Sequence, residues 1–161
     1  MKKFLFFMLA CAVAYSPLAS ANFGTQRENS FEILTAADTL VASDCGKTIF
    51  LNSTTEFAVT LPSAAGADVA GCELKVVVQA APAGANYTVV TAASENTIIG
   101  GVNELEVDTA DDGPYSAVGD VVTFVGGTSV VGDFVSLKSN GVKWYMFGQT
   151  QADGGVTIGS T

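Results

Sequence analysis

Apolar and polar residues alternate with a period of two along most of this chain, and the alternation is sharpest near its C-terminal end. From Phe134 to Lys138, Val135 and Leu137 fall on one side and Phe134, Ser136 and Lys138 on the other. The run Val142 to Phe147 puts Trp144 and Met146 on one face and Lys143, Tyr145 and Phe147 on the opposite one. Successive side chains of a strand point to opposite faces, so both runs read as strands with one face in a core. Between them stands Ser139-Asn140-Gly141. Asn-Gly tolerates the positive φ of a tight hairpin turn, so Asn140 and Gly141 predict the turn that joins the two strands. Trp144, the chain's single tryptophan, is then a core residue of the hairpin.

The same reading extends upstream. Lys47–Leu51, Phe57–Leu61, Glu73–Gln79, Tyr87–Ala92 and Val121–Val125 are rich in β-branched or aromatic residues and are bounded by Gly, Pro, Asn or Ser. Phe31–Leu34 and Leu40–Ala42 are shorter strand candidates. Thr97–Ile99 and Leu105–Val107 flank Gly100-Gly101-Val102-Asn103, which predicts a tight turn. Ser63–Gly71, Ala80–Asn86 and Asp108–Gly119 read as loops, and Gly126-Gly127 as a further turn. Gly148–Thr161 is polar and glycine-rich, which fits a flexible tail or an edge strand over Val156–Ile158. No window outside the N-terminus holds a helical period. About ten short, closely spaced strands predict an all-β fold, an antiparallel β-sandwich or barrel-like module. A turn-then-strand device recurs: Val118-Gly119-Asp120-Val121-Val122 is echoed by Val131-Gly132-Asp133-Phe134-Val135, with a spacing too irregular for a solenoid.

The N-terminus adds a compartment. Lys2 and Lys3 precede an apolar stretch from Phe4 to Tyr15, and Ala19-Ser20-Ala21 supplies the small residues of a signal-peptidase site. The expected organisation is a signal peptide helix over 1–21, an extended N-terminal arm over 22–34, a β-sandwich domain over 35–148 and a tail or edge strand over 149–161. Export by this route leads to a secreted, cell-surface or periplasmic location. After cleavage no apolar stretch remains for stable membrane insertion. Cys45 and Cys72 are the only cysteines beyond the signal, and each precedes a predicted strand. An even pair in an exported chain predicts one disulfide, with two buried thiols as the alternative.

Charge and residue chemistry narrow the function more than they name it. The formal net charge of −9 argues against nucleic acid, which needs clustered Lys and Arg. There is no histidine, so the commonest general base and metal ligand is missing. No Gly-x-Ser-x-Gly elbow occurs. Glu104, Glu106 and Asp108 alternate as a solvated strand face would, and a non-enzymatic protein is expected. Asp108, Asp111 and Asp112 gather oxygen ligands on a loop that also holds Gly113, a pattern suited to Ca²⁺. In the same loop Tyr115 follows Pro114 and is the aromatic best placed to meet a ligand such as a surface glycan.

Several pieces of the chain recur as a set elsewhere. They are Gly46-Lys47-Thr48-Ile49, Val59-Thr60-Leu61-Pro62, Gly71-Cys72-Glu73-Leu74-Lys75-Val76-Val77-Val78, Ile98-Ile99-Gly100-Gly101, and Gly132-Asp133-Phe134-Val135-Ser136-Leu137 through Gly141-Val142-Lys143-Trp144-Tyr145. In this order they resemble a module of phage fibre and other virion surface proteins, over roughly Thr35 to Gly148. The resemblance implies a small β-sandwich, often trimeric, that serves structure or attachment without catalysis. With the export signal it leads to an expected role as an exported structural or adhesive subunit of a surface, fibre or virion-like particle. A homo-oligomer is expected, as a trimer or as a filament in which the arm fills a neighbour's sheet edge. The competing expectation is a secreted carbohydrate- or Ca²⁺-dependent ligand-binding domain.

Overall fold

The computed structural model describes residues 31–93, 97–106 and 115–160. The targeting segment, residues 22–30 of the arm, and Asp108, Asp111 and Asp112 lie outside these. In chain order the strands are β1 (Phe31–Leu34), β2 (Asp38–Thr39), β3 (Thr48–Leu51), β4 (Ala58–Thr60), β5 (Glu73–Val78) and β6 (Tyr87–Val90). They continue with β7 (Ile98–Glu104), β8 (Tyr115–Gly119), β9 (Val121–Phe124), β10 (Phe134–Ser139), β11 (Trp144–Thr150) and β12 (Val156–Gly159). Among the described residues a 3-10 turn spans Ala42–Asp44, where the sequence suggested part of a strand. The strands form a seven-stranded sheet, β1-β3-β5-β10-β11-β7-β8, and a five-stranded sheet, β12-β9-β6-β4-β2. The two pack as a sandwich, so the all-β expectation holds.

The expectation of antiparallel pairing is corrected. From β1 to β6 the chain alternates between the two sheets, so each strand returns beside the last strand of its own sheet running the same way. β1–β3–β5 are parallel in one sheet and β2–β4–β6 in the other. The loops Ser63–Gly71 and Ala80–Asn86 cross between sheets instead of closing hairpins, which is why parallel neighbours result. The later strands then add antiparallel partners: β9 to β6, β10 to β5, and β12 to β9. The β10–β11 hairpin is antiparallel as expected, with Ser139 opposite Trp144, while β11 also pairs in parallel with β7.

The structure decides between the readings of three segments. Phe31–Leu34 belongs to the seven-stranded sheet and not to an arm. Val156–Gly159 is an edge strand, resolving the two options for the tail. Gly100-Gly101 is not a turn, since β7 runs straight through it. A Cβ on Gly100 would run into the Met146 carbonyl, so this glycine permits close approach of β11 instead of reversing the chain.

One continuous core fills the sandwich. Ile49, Leu51, Leu74, Val76, Val135, Leu137 and Trp144 face it from one sheet; Val59, Tyr87, Val89, Val122, Phe124 and Val156 face it from the other. The buried polar groups are paired. The Tyr87 hydroxyl donates to the Ser53 carbonyl at 2.7 Å and accepts from the Ser53 N–H at 3.0 Å. The Asp133 carboxyl accepts from the Ser129 hydroxyl, the Thr150 hydroxyl and the Val130 and Gln151 N–H groups, all within 3.0 Å. The recurring Val-Gly-Asp-x-Val thus has a structural meaning: Asp120 and Asp133 are both buried just before β9 and β10.

Candidate functional site

The sequence-derived sites separate in the fold. Cys45 and Cys72 form a disulfide, with Cα atoms 5.0 Å apart and a sequence separation of 27. They precede β3 and β5, which are neighbours in register, with Thr48 opposite Lys75. The disulfide therefore continues the same register one residue below the last hydrogen-bonded rung, where the Gly46 N–H donates to the Glu73 carbonyl. Trp144 and Met146 are buried, as the alternation requires, and the Trp144 indole N–H donates to the Pro62 carbonyl at 3.3 Å. The hairpin connection is wider than two residues: the Asn140 Oδ1 accepts from the Val142 and Lys143 N–H groups, and Gly141 has φ 86°. Tyr115 is not a loop residue but opens β8, opposite Val102.

The carboxylates considered for chemistry have other work. Glu104 ends β7 and accepts from the Gly154 N–H at 2.9 Å; Glu106, beyond the strand, accepts from the Asp153 N–H at 3.1 Å. Both hold the turn that leads into β12. Among the described residues there is no group of three or more His, Cys, Asp or Glu able to hold a metal ion. No helix among them is long and apolar enough to cross a membrane.

What the fold assembles, and the sequence reading did not single out, is the outer face of the seven-stranded sheet. The outward positions of the five-stranded sheet carry a row of hydroxyls, Thr88 beside Thr123 beside Thr157. The outward positions of the seven-stranded sheet are different. Register places Thr48 next to Lys75, Lys75 next to Ser136 and Ser136 next to Phe147, one row across β3, β5, β10 and β11. The next row brings Glu73, Lys138 and Tyr145 together. These side chains and Lys47 line a groove of about 440 Å³. Tyr145 and Phe147 remain 49% and 57% exposed on its wall.

The groove gathers cations. Lys47 sits between Asp44 Oδ1 at 2.7 Å and Glu32 Oε2 at 3.0 Å, which raises its pKa, chiefly through the bond to Asp44. Burial pushes the Asp44 carboxyl up, but Lys47 and the Val41 N–H outweigh it and hold its pKa below the ordinary value. Lys138 pairs with Glu73 and lowers that carboxyl's pKa. Lys75 makes no ion pair among the described residues; its Nζ lies 4.1 Å from the centre of the Phe134 ring.

Beyond the groove the face turns apolar toward both edges. Phe31 and Ile33 stand exposed on β1, with Phe31 edge-on to Phe50, and Val118 stands exposed on β8. No protein-family model, curated protein or solved structure matches this chain.

Proposed function

We propose that this protein is an exported, non-enzymatic β-module that serves as a structural or adhesive subunit of a surface, fibre or virion-like assembly. The observation that carries the reading is the pair of edges of the seven-stranded sheet. Among the described residues no strand pairs the outer side of β1 or β8. Neither strand contains Lys or Pro, the residues that commonly keep an edge from recruiting another chain. Instead they present exposed Phe31, Ile33 and Val118, although the end of β8 packs on β12 near Gly159. A copy that continues the sheet at an edge covers the apolar side chains and adds ladder hydrogen bonds in one step. In the filament form of this reading the arm fills a neighbour's sheet edge, but Phe31–Leu34, the end of that arm, already pairs with β3 of its own sheet.

Light scattering on the mature chain tests this. The wild type should be a homo-oligomer, and the triple variant Phe31→Lys, Ile33→Lys, Val118→Lys should be a folded monomer. A wild type that stays monomeric at high concentration and binds neither cells nor glycans would sink the proposal.

A second reading, a carbohydrate-binding domain, has its own support in the groove. It would place the ligand on the sheet face between β3 and β11 and not on the loop that holds Asp108, Asp111 and Asp112.

A further inference from the structure

We propose that the groove on the outer face of the seven-stranded sheet binds an acidic saccharide, a sugar chain carrying carboxylate or sulfate groups. The inference deepens the carbohydrate reading and does not depend on self-assembly.

The first argument is charge. The chain carries a formal net charge of −9, yet Lys47, Lys75 and Lys138 converge on this one groove against a single lining carboxylate, Glu73. Glu73 is already engaged by Lys138, and Lys47 by Asp44 and Glu32. Lys75 makes no ion pair among the described residues; its stem lines the groove and its Nζ rests over the Phe134 ring beside it, within reach of an anion at that end. An anionic group beside Lys75 would find a compact cation with donors to spare.

The second argument is the composition of the walls. Thr48 and Ser136 flank Lys75 on the floor and offer hydroxyls that both donate and accept. Tyr145 and Phe147 offer exposed ring surface beside them. A sugar presents the matching pair of features, an apolar C–H face that packs on a ring and a rim of hydroxyls that hydrogen-bonds sideways.

The third argument excludes the other acidic polymers. An acidic peptide gains most when it adds to a sheet edge and satisfies its own backbone. β3, β5, β10 and β11 are each paired on both sides, so the groove floor has no edge to offer. A nucleic acid needs many phosphate contacts, and a groove with three lysines in an acidic chain cannot supply them.

The experiment is titration calorimetry on the mature chain with three probes: a heparin-derived tetrasaccharide, a galacturonate trimer and a neutral cellotetraose. Binding of at least one acidic probe, weakened by added salt and absent for cellotetraose, is expected. Lys75→Gln should weaken it at least tenfold, and Phe147→Ala by a similar factor, with melting temperatures unchanged. Lys143→Gln, outside the groove, should bind like the wild type. The Phe31→Lys, Ile33→Lys, Val118→Lys variant, whose added lysines lie on the same face, should bind at least as tightly as the wild type, which separates this site from the assembly proposal. No binding of either acidic probe, unchanged affinity in Lys75→Gln, or equal competition by a poly-glutamate peptide would each overturn the inference.

Discussion

Trp144 shows how much a single position can be read from alternation alone. It falls on the even face of β11, its ring is fully buried and its indole N–H reaches the Pro62 carbonyl across the chain. Trp144→Ala should cost about 3–5 kcal/mol, since it removes a large buried ring and leaves a cavity, and a denaturant melt would measure it. A stable variant that lost only binding would return Trp144 to the functional residues. Tyr145 and Phe147 were equally visible as the opposite face, but their role was not. Their importance comes from lying beside Ser136 and Lys138, and period-two alternation says nothing about which strands are neighbours. Lys75 is the sharpest case: its outward direction follows from the pattern of β5, while its partner, the Phe134 ring, comes from a strand far along the chain. The ion pair of Asp44 with Lys47 permits a signed pH test. The Asp44 pKa is depressed, so the pair contributes above the carboxyl's ordinary value of 3.8 and is lost as pH falls through the folded value. The Lys47 pKa is raised, so the contribution is present below 10.5 and is lost as pH rises through the folded value. Both groups are partly exposed, so the contribution is under about 1 kcal/mol. Melting of Asp44→Asn beside the wild type should show a small gap at neutral pH that closes at both extremes.

At the level of elements, the sequence announced most of the strands but missed β2, read β8 as part of a loop and split β7 at a turn, and it did not give the order in which strands are laid down. Val, Ile and Thr runs bounded by Gly and Pro marked β3 to β6 and β9 to β11 within a few residues. The Gly100-Gly101 pair misled because a glycine at a turn and a glycine at a close backbone approach look alike until the facing strand is known. The glycines before β3 and β10 do take a left-handed φ, 91° at Gly46 and 98° at Gly132, whereas Gly119 of the echoed Val118–Val122 lies within β8 without one. The cysteine pair was the most informative element signal. Two strand starts at one end of a sheet were expected, and the disulfide joins adjacent parallel strands in the same register as their ladder. Closing a loop across a separation of 27 should stabilise the fold by about 3 kcal/mol. Replacing both cysteines by serine, or reducing them, should therefore lower the melting temperature by about 10 °C without changing the strand content seen by circular dichroism.

For the whole molecule, the alternation of the chain between two sheets explains both its core and its open ends. Each sheet begins with parallel strands and is completed by later ones, so the first strands, β1 and β2, each stay at the margin of their own sheet. Joining a β1 edge to a β8 edge uses two different surfaces, and such contacts close into rings or run on as fibres according to the angle between successive copies. In the assembly proposed here the groove would be repeated once per copy, so that weak binding of a saccharide at each groove would add to avidity.

The disulfide also sets the path of mechanical load. A pull applied at the N-terminal end of the chain peels β1 from β3, strips β2 from β4 and then arrives at Cys45. From there tension crosses the sulfur bridge to Cys72 and enters β5, the strand between β3 and β10. β3 and β4 lie inside the closed covalent loop and carry none of it. A subunit tethered at a surface by its N-terminal end would thus be gripped in the middle of its larger sheet, behind a short extensible leader, while the strand that floors one side of the groove stays out of the line of force.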